Sequence, residues 1–251
     1  MAPDSGEFKI SSVRSALVTG ASSGIGKALC HQLLERGITV TGVSRSTTDS
    51  ELLENKLFRH VKADLSVEDD VRKITENFGD EDFVPDLVIN AAGFLHNSDR
   101  KPERQLKEFD PEFFLDNIKA NTLPTALLAK HLFPFLRKKS LSAFITVTAK
   151  VGSISDNRMG GWHSYRASKA AANMMLKNIS LEFQRMNCNS ICLAIHPGTT
   201  VTPLSEPFTK NFRLKLHTPK ETARNILSVI EGKTLKSSGG FYSWDGSELP
   251  W

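Results

Sequence analysis

Apolar residues in this chain come in short runs, and stretches with a helical repeat of apolar positions separate them. SALVTG (residues 15–20), ITVTGVSR (38–45), FRHVKADL (58–65), DLVINAAG (86–93), SAFITVTA (142–149) and SICLAIHPG (190–198) read as strands, and GGFYSWDG (239–246) as a last short one. GIGKALCHQLLERG (24–37) reads as a helix with Gly37 beyond its end. SVEDDVRKITENFG (66–79) reads as a helix with Ser66 as its N-cap. A long helical stretch over 111–138 is interrupted by Pro124 and Pro134. Nothing breaks a helix running from Tyr165 to Met186, and TPKETARNILSVIEG (218–232) opens on a Thr-Pro cap pattern. Apolar strands alternating with helices imply a parallel sheet covered on both faces, an α/β fold. Two polar excursions, 94–109 and 199–217, follow the C-terminal ends of strands, the edge at which open α/β sheets bind ligands.

Composition narrows the field. A chain of 251 residues suits one large core, so we expect a single domain over 1–251, with 1–14 a flexible N-terminal segment. The net charge of +4, with both signs dispersed, makes no case for nucleic acid. Cys30, Cys188 and Cys192 have neither metal-site spacing nor the even number of a disulfide framework. They read as buried free thiols in a reducing compartment, with no metal site. No window approaches a membrane span and the N-terminus carries no leader pattern, so the expected location is the cytoplasm.

The chemistry-bearing stretches lie at strand ends. TGASSGIG (19–26) links the first strand to the first helix. Gly20 permits the tight turn, Gly24 lets the backbone approach a pyrophosphate, and Gly26 allows close helix–strand contact. The helix N-terminus offers N–H groups to phosphate, so Gly20, Ser22, Ser23, Gly24, Ile25 and Gly26 form a candidate cradle. The second strand ends at Arg45 with no acidic residue adjoining it. A guanidinium there accommodates a 2′-phosphate, where an acid would bind a ribose hydroxyl. The alternative is a solvent-facing arginine, and Asp49 lies further into the loop. Tyr165 and Lys169 in SYRASKAA sit one helical turn apart and so share a face. Such a pair is either an ordinary surface contact or an acid–base device.

The GxxxGxG spacing, NAAG (90–93), YRASK, Asn121 in IKANTLP and HPGTTVT together resemble the short-chain dehydrogenase/reductase family, from about Ser15 onward. VGSISDNRMGGWHSYRASKAA, with the ending FYSWDGSELPW, looks like its C-factor-like branch. The resemblance implies a doubly wound Rossmann fold with seven parallel strands in the order 3-2-1-4-5-6-7. It implies NADP(H) held by the glycine turn, by Asp64 and Leu65 near the adenine, by Asn90, Ala91, Ala92 and Gly93, and by Pro197, Gly198 and Thr202 near the nicotinamide. Asp64 otherwise reads as a turn or capping aspartate. Tyr165 becomes the general acid–base for a small carbonyl or alcohol substrate, and Lys169 lowers the phenol's pKa and holds the ribose hydroxyls. Asn121 anchors a water linking Lys169 to solvent. Family members commonly pair through their long helices, so a homodimer or homotetramer is expected.

Two details are particular to this chain. Pro124 should kink the long helix beside Asn121, because its ring disturbs the Ala120 carbonyl. The family ends its fifth strand with a Ser-Ser pair whose second hydroxyl contacts substrate; here Thr148 and Ala149 take those places. Ser153 and Thr148 are the candidate substitutes, and strand alternation favours Ser153. Trp162, His163 and His96 read either as pocket walls or as packing, whereas His31 and His131 read as structural. Leu204, Phe208, Lys210, Phe212, Arg213 and Lys215 could close over the site as a lid. An NADP-binding regulatory or signalling protein with little turnover is the alternative to an enzyme.

Overall fold

The computed structural model describes residues 6–76, 78, 84–209 and 215–251. Its strands are β1 (Ser15–Thr19), β2 (Thr39–Ser44), β3 (Phe58–Lys62), β4 (Leu87–Asn90), β5 (Ser142–Val147), β6 (Ser190–His196), β7 (Thr199–Thr200), β8 (Leu216–His217) and β9 (Gly240–Ser243). Its helices are α1 (Gly24–Leu34), α2 (Ser50–Leu53), α3 (Glu68–Glu76), α4 (Pro111–Asn121), α5 (Leu123–Leu136), α6 (His163–Arg185) and α7 (Pro219–Ile230).

Seven strands form one parallel sheet in the order β3-β2-β1-β4-β5-β6-β9, as the family resemblance implies. Successive side chains along a strand point to opposite faces. Ala16 and Val18 therefore enter one apolar layer, with Leu29 and Leu33 of α1 and Ile226 and Ile230 of α7. Leu17 enters the other, with Val71 and Ile74 of α3, Leu128 and Leu132 of α5, and Leu176 and Ile179 of α6. Fully burying a side chain of this size contributes about 1.5–3 kcal/mol, so both faces of the sheet must be covered. The chain builds outward from β1 to β2 and β3, then crosses back to lay β4 on the other side of β1, and this reversal opens a crevice at the C-terminal edge.

Four local expectations are corrected. Residues 8–13 are docked rather than free: Phe8, Ile10 and Val13 are buried, Phe8 pairs with the backbone of Gly232 and Lys233, and the Ile10 N–H donates to Glu231. The stretch 111–138 is two helices broken at Thr122, beside Asn121 as the proline argument requires, but Pro134 lies inside α5 without ending it. Ser66 does not cap α3; its N–H and hydroxyl both donate to Asp64, and the helix begins at Glu68. Asn77 and Gly79 of that predicted helix lie outside the described residues. The excursion 199–217 contains a small ladder of its own, in which β7 and β8 pair in parallel. Trp251 stacks on Phe241 of the same chain, with ring centroids 5.2 Å apart.

Cys30, Cys188 and Cys192 are free and buried. Burial pushes the Cys30 thiol up to about 12 and the Cys188 thiol up to about 11, which makes them poor nucleophiles. No helix among the described residues is long and apolar enough to cross a membrane.

Candidate active site

The crevice beyond β1 and β4 is a cavity of about 500 Å³. The glycine turn forms its floor. A Cβ on Gly26 would come within 2.3 Å of the Gly20 carbonyl oxygen, so only glycine lets α1 start this close to β1. Gly24 (φ +53°) faces Thr202; a Cβ there would approach the threonine methyl to 3.1 Å. Ser23 flanks α1 without making a side-chain cap, which leaves the first helical N–H groups directed into the cavity. Thr19 braces the turn from below: its hydroxyl donates to Asn90 Oδ1 (2.7 Å) and accepts the Ala91 and Ala92 N–H groups, both at 3.1 Å.

Most of the predicted nucleotide residues line this cavity: Gly20, Ser22, Ser23, Gly24, Ile25, Gly26, Arg45, Asp64, Leu65, Ala91, Ala92, Gly93, Tyr165, Lys169, Pro197 and Thr202. Asn90 and Gly198 lie behind the wall. The Asn90 amide is buried between Thr19 and Thr125, and Gly198 (φ +76°) turns the backbone against the rings of His217 and Trp244. The Arg45 side chain is exposed at the cavity rim and has no ion-pair partner among the described residues. Asp49 is committed elsewhere, as N-cap of α2 and partner of Lys27. Sequence reasoning missed Ser44, Ser46, Asp116 and Lys119, which also line the cavity. The serines were reachable as neighbours of Arg45; Asp116 and Lys119 arrive only through the packing of α4.

Tyr165 and Lys169 face the inner end of the cavity from the first turns of α6. The lysine Nζ lies 5.8 Å from the phenol ring centroid and donates to the Val147 carbonyl at 3.4 Å. Burial dominates both groups: it pushes the phenol well above its ordinary range and lowers the ammonium to about 8. The lowered phenol pKa expected from the sequence is therefore absent in the chain alone, where burial raises it. The phenol keeps its proton at neutral pH.

Neither candidate hydroxyl presents a free donor to the cavity. Ser153, favoured from the sequence, does not line the cavity, and its Oγ accepts the Asp156 N–H at 3.1 Å. Thr148 does line the cavity, but its hydroxyl donates to Asn173 Oδ1 at 2.7 Å. Asn121 is behind the wall as well. Its amide pairs with the Phe94 backbone in both directions (2.8 and 2.9 Å) and reaches Ser168 Oγ at 3.0 Å.

Two excursions meet over the tyrosine end. His96 Nε2 contacts the Leu204 carbonyl at 3.1 Å, and the His96 ring lies edge-on to Phe208. Phe208 in turn meets Trp162, which stands against Tyr165. Lys215 lies over Trp244, while Lys210, Phe212 and Arg213 of the expected lid lie outside the described residues.

Below the turn at Pro197, the His196 ring has a buried Nδ1 without a partner among the described residues, and burial, aided by the Lys150 charge, holds its pKa at about 4. Asp245 opposes that shift and His217 adds to it. An unfolded histidine titrates near 6.5, so stability should be complete above that value and fall as the pH drops through 6.5 toward 4. The loss should be on the order of 3 kcal/mol, and His196→Gln should flatten it; the check is denaturant midpoints at several pH values. An unchanged pH slope in the variant would assign the acid sensitivity to other groups.

These features define a nucleotide-binding α/β fold with a tyrosine–lysine pair beside the cleft, and the chain belongs to the short chain dehydrogenase family, whose model matches residues 14–212. A 1-hydroxy-2-glutathionyl-2-methyl-3-butene dehydrogenase of Rhodococcus sp. (strain AD45) is 28% identical over 236 residues, 94% of this chain and 98% of the relative. C-signal of Myxococcus xanthus is 32% identical over 131 residues, 52% of this chain and 74% of the relative. Among solved structures, an NADPH-bound carbonyl reductase from chicken fatty liver superimposes with a TM-score of 0.81 at 25% identity, covering 95% of this chain and 99% of that one. The family is one of oxidoreductases that use a nicotinamide cofactor.

Proposed function

We propose that the protein is an NADPH-dependent reductase of small carbonyl compounds, reversible as an alcohol dehydrogenase, with Tyr165 as general acid–base. The observation that carries this reading is the placement of Tyr165 and Lys169, one helical turn apart, on the cavity whose other end is the glycine turn. Once bound, the cofactor supplies hydride to the carbonyl carbon. The protein does the rest. The free N–H groups of α1 receive the pyrophosphate, with Asp64 and Leu65 at the adenine end and Ala91, Ala92 and Gly93 along the ribose. Pro197, Gly198 and Thr202 shape the nicotinamide end, and Arg45 takes the 2′-phosphate. Lys169 holds the ribose hydroxyls. Tyr165 is a protonated phenol at working pH and donates to the substrate oxygen as charge develops there. Lys169, whose ammonium lies 5.8 Å from the phenol ring centroid, then stabilises the phenolate against its burial.

Asn121 contributes at the helix break. Its side chain is occupied by Phe94, so a water relaying protons to Lys169 is better served by main-chain oxygens there. Pro124 has no N–H for the Ala120 carbonyl, and both residues line the cavity.

Thr148 is the better substitute for the absent serine hydroxyl. The Asn173 NH2 is buried without a partner among the described residues. Turning that amide over lets it donate to Thr148, which frees the threonine proton for the cavity. Thr148→Val should then lower turnover roughly tenfold, and Ser153→Ala should leave it within about twofold. Full activity in Thr148→Val would remove this hydroxyl from the mechanism.

Exposed Leu115 on α4 and Met174 and Leu181 on α6 support pairing of two copies through the long helices. The three free thiols support a reducing, cytoplasmic setting. Ala149, which offers no hydroxyl, and the likeness to C-signal favour a second reading, an NADP-binding regulator with little turnover. A screen of NADPH consumption over aldehydes, ketones, quinones and steroids separates the two. Oxidation with at least one class is expected; tight nucleotide binding with no consumption would support the regulator.

A further inference from the structure

Glu103 is an acidic side chain with only 2% of its surface exposed. Burying a carboxylate is unfavourable unless donors surround it. Here the donors come from the start of α6. The Ser164 N–H reaches both carboxylate oxygens, at 3.3 and 3.2 Å, and the Ser164 hydroxyl donates to one of them. The Glu103 carbonyl meanwhile accepts the Trp162 N–H at 2.5 Å. The helix has no cap of its own, since Trp162 makes no side-chain cap and the first turn of α6 holds no acid. A residue of the 94–109 excursion thus caps the helix that carries Tyr165, where a negative charge also complements the helix dipole.

The same contact fixes an unusual backbone. Trp162 adopts a left-handed conformation, φ 51° and ψ 43°, which is rare for a bulky residue and persists only where surroundings enforce it. That conformation sets the indole edge-on to Tyr165, with centroids 6.1 Å apart, and to Phe208, at 5.2 Å. We propose that Glu103 is a positioning residue: its clamp on Trp162 and Ser164 fixes where the Tyr165 phenol and the Trp162 indole stand at the substrate end of the cleft. The inference rests on Tyr165 being the proton donor.

The test compares Glu103→Ala with Glu103→Gln, which keeps the reach and an acceptor oxygen. In Glu103→Ala, kcat should fall on the order of tenfold or more, since small misplacements of a reacting group are costly, and KM for the carbonyl should rise. The Kd for NADPH should stay within about twofold, because the glycine turn and Arg45 lie at the other end of the cavity. Glu103→Gln should recover most of kcat. In parallel, fluorine NMR of fluorotryptophan-labelled protein, with the Trp162 signal assigned by Trp162→Phe, should show that signal displaced in Glu103→Ala and restored in Glu103→Gln. Should Glu103→Ala fail to fold, Ser164→Ala removes the hydroxyl arm and is read the same way. Unchanged kcat, KM and Trp162 signal would overturn the proposal. So would a loss of NADPH affinity in step with turnover, the mark of general damage. If the unmodified protein turns over nothing, the proton-donor reading has failed, and the Trp162 signal alone then decides whether the clamp exists.

Discussion

Tyr165→Phe should cut turnover by a factor on the order of a hundred or more while leaving the Kd for NADPH nearly unchanged. The substitution keeps the ring that Trp162 packs against and removes only the acidic proton. Burial raises the pKa of the phenol in the chain alone, so the group enters the reaction as a donor. No second acid stands ready to replace the phenol: Ala149 has no hydroxyl, Ser153 does not line the cavity, and the Thr148 hydroxyl, even when freed from Asn173, is far too weak an acid to give up its proton. Lys169→Ala should reduce both turnover and nucleotide affinity, because one ammonium serves the phenol and the ribose. Initial rates and nucleotide titrations on the same preparations check both variants. Near-normal turnover in Tyr165→Phe would place the proton elsewhere.

Arg45→Ala should weaken NADPH binding by about one to two decades and leave NADH nearly unchanged. A charge-assisted contact to the 2′-phosphate is worth roughly 1.5–3 kcal/mol, and NADH has no such phosphate. The turn that presents Arg45 is well braced. Ser44 Oγ donates to the Ser46 carbonyl at 2.7 Å and meets His60 Nε2 at 2.9 Å. Asp49, the nearby acid that could have served a ribose hydroxyl, is held by Lys27 and by the N-terminus of α2. Titrations of both cofactors against both proteins settle the matter; equal NADPH and NADH affinities in the unmodified protein would contradict it.

The strands and the glycine turn were legible because their signals are local, whereas the strand order came with the family resemblance. Apolar runs mark buried parallel strands, and a glycine turn between a strand and a helix carries its own geometric reason. The break beside Asn121 followed from the chemistry of Pro124. Other features depend on partners distant in sequence. Phe8, Ile10 and Val13 sit among polar residues in a segment without an apolar run, yet they pack beneath the end of α7. Pro134 lies inside α5, whose apolar face holds it against the sheet layer despite the missing N–H. The choice between Ser153 and Thr148 turned on Asp156 and Asn173, which strand alternation alone does not reveal. The clamp of Glu103 on α6 joins residues 61 apart. The rise of the tyrosine pKa in the chain alone was not legible for a related reason: desolvation sums over everything that covers the ring.

A single-turnover experiment tests the central claim most directly. Protein loaded with NADPH is mixed rapidly with members of the carbonyl panel, and loss of the reduced nicotinamide signal is followed in the unmodified chain and in Tyr165→Phe. We predict an exponential loss with at least one carbonyl, slowed by a factor on the order of a hundred or more in the variant. Persistence of the signal with every carbonyl, or the same decay rate in both proteins, would contradict the account.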